Sequence, residues 1–134
     1  MAFKSFEKHW KSLLITSLFS VVFFILFLTL AMIFYPDGSS PTGYNGFDGY
    51  SFWKNFISDL GMTHTFQNSP NTLSPVFLGF GITILSIGGS VFYLLAYSIF
   101  NEESVAIKRL SAIGSISGIS GCIFLLCVSV FPKD

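Results

Sequence analysis

The stretch from Leu13 to Tyr35 contains no Asp, Glu, Lys, Arg or His. As a helix its roughly 23 residues extend about 35 Å, enough to cross a hydrocarbon core of about 30 Å with a modest tilt. A basic leader with Lys4, Lys8 and Lys11 precedes it. The apolar run is far longer than the core of a cleaved signal peptide, which favours a retained transmembrane helix. A second span is predicted over 74–100. It opens at Ser74-Pro75, where Ser is a favoured N-cap and Pro a favoured first helical residue. A third, over 110–131, is closed by Pro132. The chain of 134 residues is 51% hydrophobic and only 10% charged, against about 25% charged in ordinary soluble domains. Neither a soluble globule nor a disordered chain has that balance. Zero formal net charge leaves no basic stripe for a phosphate backbone, so nucleic acid is excluded as a partner. The expected fold is one all-α integral membrane domain. It has three transmembrane helices (13–35, 74–100 and 110–131) and a short exoplasmic, interfacial, amphipathic helix.

Basic residues in short loops resist translocation. The leader (1–12) and the loop 101–109, with Lys108 and Arg109, are therefore expected in the cytoplasm. The connection 36–73 carries Lys54 against Asp37, Asp48 and Asp59, and is expected outside with the tail 132–134. Trp10, Tyr35 and Tyr97 lie near span ends, where interfacial aromatic belts form.

Within these predicted spans there is no ionisable side chain of the kind that pumps and proton relays use. His9 and His64 fall on opposite sides of the bilayer, so one copy cannot pair them on a metal or haem; no metal or cofactor is expected. Cys122 and Cys127 diverge around the third helix and read as small apolar fillers. Small residues crowd that helix: Ser111, Gly114, Ser117, Gly118 and Gly121. Gly114 and Gly118 have the G-x-x-x-G spacing that lets helix backbones approach closely. The face is either a seam between copies or a surface for the chain's own helices. Gly79, Gly81, Gly88 and Gly89 supply close-approach positions on the second span, and the two helices are expected to pack together.

The connection is too aromatic to be a linker: Tyr44, Phe47, Tyr50, Phe52, Trp53 and Phe56 cluster in it. An amphipathic helix is predicted over 51–60. Ser51 is its cap, Phe52, Trp53, Phe56, Ile57 and Leu60 form its apolar face, and Gly61 ends it. Lys54, Asn55, Ser58 and Asp59 form its polar face. Asp59 would then stand in the last turn, where the helix dipole disfavours a carboxylate, and Asn55 is its nearest compensating partner. Asp59 with His64, or with Asp48, is a weak candidate for general acid/base chemistry on a lipid headgroup. Alternatively, Asp59 satisfies backbone donors of the following turn and His64 is a solvated loop residue.

The run from Gly49 to Gly61, with Ser58-Asp59-Leu60-Gly61 at its core, is followed by Asn68-Ser69-Pro70-Asn71 and a Gly-rich span. This pattern resembles the opening half of a prokaryotic membrane family, domain of unknown function number 998. The Phe131-Pro132-Lys133-Asp134 segment is also similar. The resemblance implies a bacterial-type cell membrane and a bundle of about six helices, of which this sequence supplies three. The chain is then a natural half-length member, a fragment of a longer protein, or a protein completed by a second copy or another membrane subunit. It marks Ser58, Asp59, Leu60 and Gly61 as the motif to test, and it implies no established reaction. The expected function is that of a non-enzymatic helix-packing component that self-associates or joins another subunit within the lipid bilayer. A lipid-binding or lipid-modifying site around Asp59 is the alternative, and a small-molecule carrier the third.

Overall fold

The computed structural model describes residues 2–36, 49–100 and 102–131, with side chains of the first helix from His9 onward. Asp48, Tyr44, Phe47 and the tail 132–134 lie outside the described residues. The architecture is all-helical: α1 (Ala2–Ile33), a 3-10 helix (Ile57–Gly61), α2 (Leu73–Ile99) and α3 (Val105–Val130). Three segments, His9–Ile33, Leu73–Ile99 and Val105–Val130, are long and apolar enough to cross a membrane.

At their N-terminal ends α1 and α3 extend beyond the apolar runs that predict them, while all three helices stop one or two residues short of the predicted C-terminal bounds. The leader joins α1 rather than preceding it, because Lys and Glu are good helix formers and a polar start does not stop a helix. At the other loop, α3 begins at Val105, not at Leu110. Ser104 is extended (φ −55°, ψ 153°), and its carbonyl accepts the Lys108 N–H at 2.9 Å. Lys108 and Arg109 therefore belong to the opening turns of α3. Ser74 does not cap α2; the cap position is Thr72. Pro75 still lies in the first turn, where its missing N–H leaves no ladder bond unmade.

α2 is the central element, packed against α1, α3 and the 3-10 helix. At its N-terminal end lies the apolar core of Ala31, Tyr35, Leu60 and Leu78, with Leu28, Met32, Tyr50, Phe77 and Ile82 around it. Phe34 stacks on Phe77 there, with ring centroids 5.2 Å apart. Farther along the helices the usual pattern inverts: Ser17, Ser20, Ser86 and Ser115 are buried, while Leu18, Val22, Phe80 and Ile116 are exposed. Burying small hydroxyls and exposing large apolar groups is favourable where the surroundings are themselves apolar.

Each buried serine of the long helices donates to a specific carbonyl. The Ser17 Oγ–H donates to the Gly88 carbonyl across α1 and α2, and Ser20 donates to the Ser17 carbonyl at 2.7 Å. Ser20 occupies the space that a Cβ on Gly88 would need. Between α2 and α3, Ser115 donates to the Tyr93 carbonyl at 2.8 Å, Ser111 to the Ala96 carbonyl at 3.4 Å, and Thr83 Oγ1 pairs with Ser129 Oγ at 3.3 Å. Cys122 is buried, its Sγ 3.0 Å from where a Gly89 Cβ would stand.

The glycine spacing of α3 divides between two surfaces. The Tyr93 ring lies where a Gly118 Cβ would be, so Gly118 serves packing within the chain. Gly114 and Gly121 have nothing within 4 Å of the corresponding position. Replacing Gly118 by Leu should force Tyr93 out and lower the stability of the detergent-solubilised chain by roughly 1–3 kcal/mol, the usual cost of overpacking. Gly121→Leu should leave the monomer's thermal midpoint unchanged, which a melting comparison of the two variants checks.

Candidate functional site

Residues 49–72 form an ordered cap over the N-terminal end of α2. The cap opens at Gly49, whose φ of +86° is a conformation that side chains disfavour. A closed turn follows, in which the Ser51 carbonyl accepts the N–H groups of Lys54 at 3.1 Å and Asn55 at 2.9 Å. The Asn55 Oδ1 accepts the Ser51 N–H at 3.1 Å. The chain then extends at Phe56 (φ −81°, ψ 151°) before the 3-10 helix begins.

The continuous helix predicted over 51–60 is therefore corrected to a turn and a 3-10 helix separated by Phe56. The cause is competition for backbone donors. Asn55 bonds back to Ser51, and the Asp59 Oδ2 accepts the Phe56 N–H at 2.8 Å, so side chains take bonds that an α-helical ladder would use. Asp59 sits in the first turn of the 3-10 helix, not the last turn of an α-helix. Its carboxylate accepts from Phe56, three residues earlier, and the expected conflict with a helix C-terminus does not arise.

The faces change accordingly. Leu60 is buried, whereas Phe52, Trp53 and Phe56 are 66%, 91% and 72% exposed. Asn55 and Asp59, assigned from sequence to the polar outer face, point inward, with Asp59 fully buried. Lys54 and Ser58 remain exposed.

The rest of the cap is built from backbone pairing and two side-chain anchors. His64 and Pro70 form an antiparallel bridge, beside which the Asn71 N–H donates to the Thr63 carbonyl at 2.7 Å. The tip is closed by Asn68 at φ 63°, a left-handed conformation that Asn tolerates. The Asn71 Nδ2 donates to the Met62 carbonyl at 2.8 Å, and the Ser74 Oγ–H donates to the Leu60 carbonyl at 3.0 Å. These anchors satisfy the carbonyls at the end of the 3-10 helix and fasten it to the start of α2. Gly61 packs against Leu78, whose Cδ2 would be 3.4 Å from a Cβ there.

Tyr50 links this network to the end of α1. Its ring meets Tyr35 edge-on at 5.8 Å, and its hydroxyl reaches the Asn55 carbonyl at 3.4 Å. Burial, and then the nearby negative charge of Asp59, hold the Tyr50 phenol above its ordinary value of 10.0.

The motif residues have separate roles. Asp59 and Leu60 are interior, while Ser58 and Gly61 border a groove of about 680 Å³. That groove runs between the capped ends of α2 and α3, lined by Val76, Phe80, Leu125 and Val128 among others. His64 is exposed, with its Nδ1 3.0 Å from the Thr63 hydroxyl. Thus the two described members of the candidate acid/base set occupy different environments, Asp59 in the interior and His64 in solvent. Among the described residues no group of three His, Cys, Asp or Glu side chains is placed to hold a metal. Gly81 packs on Phe27, whose Cβ would be 3.1 Å from a Cβ there.

Sequence reasoning missed Asn71, Ser74 and Tyr50 as members of this network. The turn chemistry of Asn68-Ser69-Pro70-Asn71 is the signal that marks an anchored loop rather than a tether. No family model matches the chain, and no curated protein or solved structure matches it.

Two outcomes follow for the cap. Asp59→Ala removes a charged acceptor from the Phe56 N–H and should cost roughly 1.5–3 kcal/mol, with faster hydrogen exchange at that amide. Asp59→Asn keeps an acceptor and should cost less. The raised Tyr50 pKa stabilises the fold below the ordinary phenol value, and that contribution is lost as pH rises through the folded-state value. Alkaline titration should therefore loosen the wild-type cap above about pH 10, and Tyr50→Phe should remove this dependence, read as amide exchange against pH.

Proposed function

We propose that the chain is an integral membrane protein crossing the bilayer three times, and that it acts as an assembly component through the outer face of α3. Lys108 and Arg109 at the start of α3, with the basic leader, orient the leader and the loop between α2 and α3 toward the cytoplasm. The cap and the tail are then exoplasmic. This orientation places the exposed aromatics of the cap at the outer interface.

The observation that carries the assembly reading is the division of α3 into a used face and an unused one. Ser111, Ser115, Gly118 and Cys122 face α2. Leu110, Gly114, Ser117, Gly121, Phe124 and Val128 are exposed and follow one another at alternating steps of four and three. That is the spacing of a helix-packing seam, with small residues at its middle where a second backbone can come close. Lipid tails fill such a notch less well than a helix does. The likeness to the opening half of domain of unknown function number 998 agrees with this reading, since a helix of a larger bundle needs a face for its neighbours. The occupant is a second copy or another membrane subunit.

Gly114→Leu combined with Gly121→Leu should shift the chain from oligomer to monomer, raising the dissociation constant about tenfold or more at roughly 1–3 kcal/mol per overpacked contact. Native mass spectrometry of gently extracted protein measures this, with unchanged melting showing that the fold survives. An oligomer distribution identical to wild type would remove this face from consideration.

A second reading is lipid binding, favoured by the apolar groove that Ser58 and Gly61 border. With Asp59 enclosed, the groove offers van der Waals contact to an acyl chain rather than acid/base chemistry on a headgroup.

A further inference from the structure

Over residues 51–59 the cap turns Phe52, Trp53 and Phe56 outward and Ser51, Asn55 and Asp59 inward, the reverse of what a water-facing segment does. Phe52, Trp53 and Phe56 are all largely exposed, and Phe52 and Trp53 pack edge-on with ring centroids 5.6 Å apart. The bonds of Asn55 to Ser51 and of Asp59 to Phe56 enforce this arrangement, because they hold the polar side chains beneath the turn. Aromatic side chains each bring about 150–250 Å² of surface, so the three together reach the size of patch that marks an interaction site. With Asp59 withdrawn, Lys54 is the exposed formal charge of residues 49–72, and it lies within the aromatic cluster.

We infer that this aromatic knuckle inserts into the headgroup region of the outer leaflet, with Lys54 on the phosphate of an anionic phospholipid. The inference rests on the membrane reading above. Charge complementarity selects the occupant: the rings occupy the amphipathic headgroup zone that Trp favours, and the lysine stem extends its ammonium to the phosphate plane. Insertion then fixes the depth of the cap over the ends of α2 and α3, independently of any assembly through α3.

The test uses the full chain reconstituted in vesicles of phosphatidylcholine alone or mixed with phosphatidylglycerol. Trp10 and Trp53 are the two tryptophans. Trp10→Phe therefore leaves Trp53 as reporter, and Trp53→Phe leaves Trp10 as a control for membrane integration. Lipids brominated near the headgroup end of the chain should quench Trp53, and acrylamide in the water should quench it weakly. Lys54→Gln should lower the ratio of inserted to withdrawn knuckle about fivefold in the anionic vesicles, the equivalent of about 1 kcal/mol per surface charge, and leave it unchanged in phosphatidylcholine. Bromolipid quenching of Trp10 but not of Trp53 would overturn the inference while leaving the membrane reading intact. Failure to quench either tryptophan would defeat the membrane reading and the inference together. Shielding of Trp53 from acrylamide without bromolipid quenching would assign the knuckle to a protein contact, and equal quenching in Lys54→Gln would remove the headgroup role of Lys54.

Discussion

Close approach to α2 governs how this chain packs. In a bilayer two apolar helices gain little by touching, since lipid tails solvate them as well as another helix does. What remains is dispersion at short range and hydrogen bonds with no water to compete. α2 provides for both, with Gly81 and Gly88 toward α1 and Gly79 and Gly89 toward α3. Into the first side come Phe27, Ser17 and Ser20, and into the second Ser129 and Cys122, while α3 returns the relation by opening Gly118 to the Tyr93 ring. Hydroxyl donors aimed at helix carbonyls then fix the axial register of each pair. A Leu-for-Ser exchange at such a site would fill more volume but lose both the approach and the register.

The cap is an extension of the same helix. Ser74 in the first turn of α2 and Asn71, two residues before that helix, hold the end of the 3-10 helix, and Asp59 holds its beginning. Between these points Leu60 enters the core with Ala31, Tyr35 and Leu78. The Ser58-Asp59-Leu60-Gly61 motif therefore describes a fold element in which alternate requirements meet: an acceptor for a backbone N–H, an apolar plug, and a residue small enough to pass Leu78. A carboxylate used in this way is bound to its position by the backbone.

The three long helices are legible from sequence because hydropathy over such lengths has one structural solution in an apolar solvent. Their polar ends are less legible, since hydropathy reports what lies in the membrane and not where a helix starts; hence Ala2 and Val105 stand outside the apolar runs. The cap was misread for a different reason. Phe52, Trp53, Phe56 and Leu60 do repeat with a helical period, but Asn55 and Asp59 offer the backbone other partners, and over so few residues that local competition outweighs periodicity. In the spans, glycine spacing located the close contacts at Gly81, Gly88 and Gly118, yet could not say that Gly114 and Gly121 face away from them. One turn of helix separates Gly114 from Gly118, and which of the two meets Tyr93 depends on rotation about the helix axis. The serines settle that rotation, because Ser115 must reach the Tyr93 carbonyl and Ser111 the Ala96 carbonyl.

That rotation has a functional consequence. Once the hydroxyls of Ser111 and Ser115 are committed to α2 carbonyls, the exposed stripe from Leu110 to Phe124 is turned away from α2, whatever lies against it. Among the described residues nothing packs on Gly114 or Gly121 at its centre, and lipid interacts as well with Leu or Ile as with so small a side chain. A helix surface that gives up side-chain volume without an internal use is better explained by an external helix than by solvent. The same reasoning distinguishes the cap: its outward aromatics add volume where the α3 stripe removes it, and so they suit the soft, heterogeneous headgroup region rather than a close-packed backbone. In the proposed assembly, two surfaces of opposite steric character thus divide the contacts between a protein neighbour along α3 and the lipid interface at the cap.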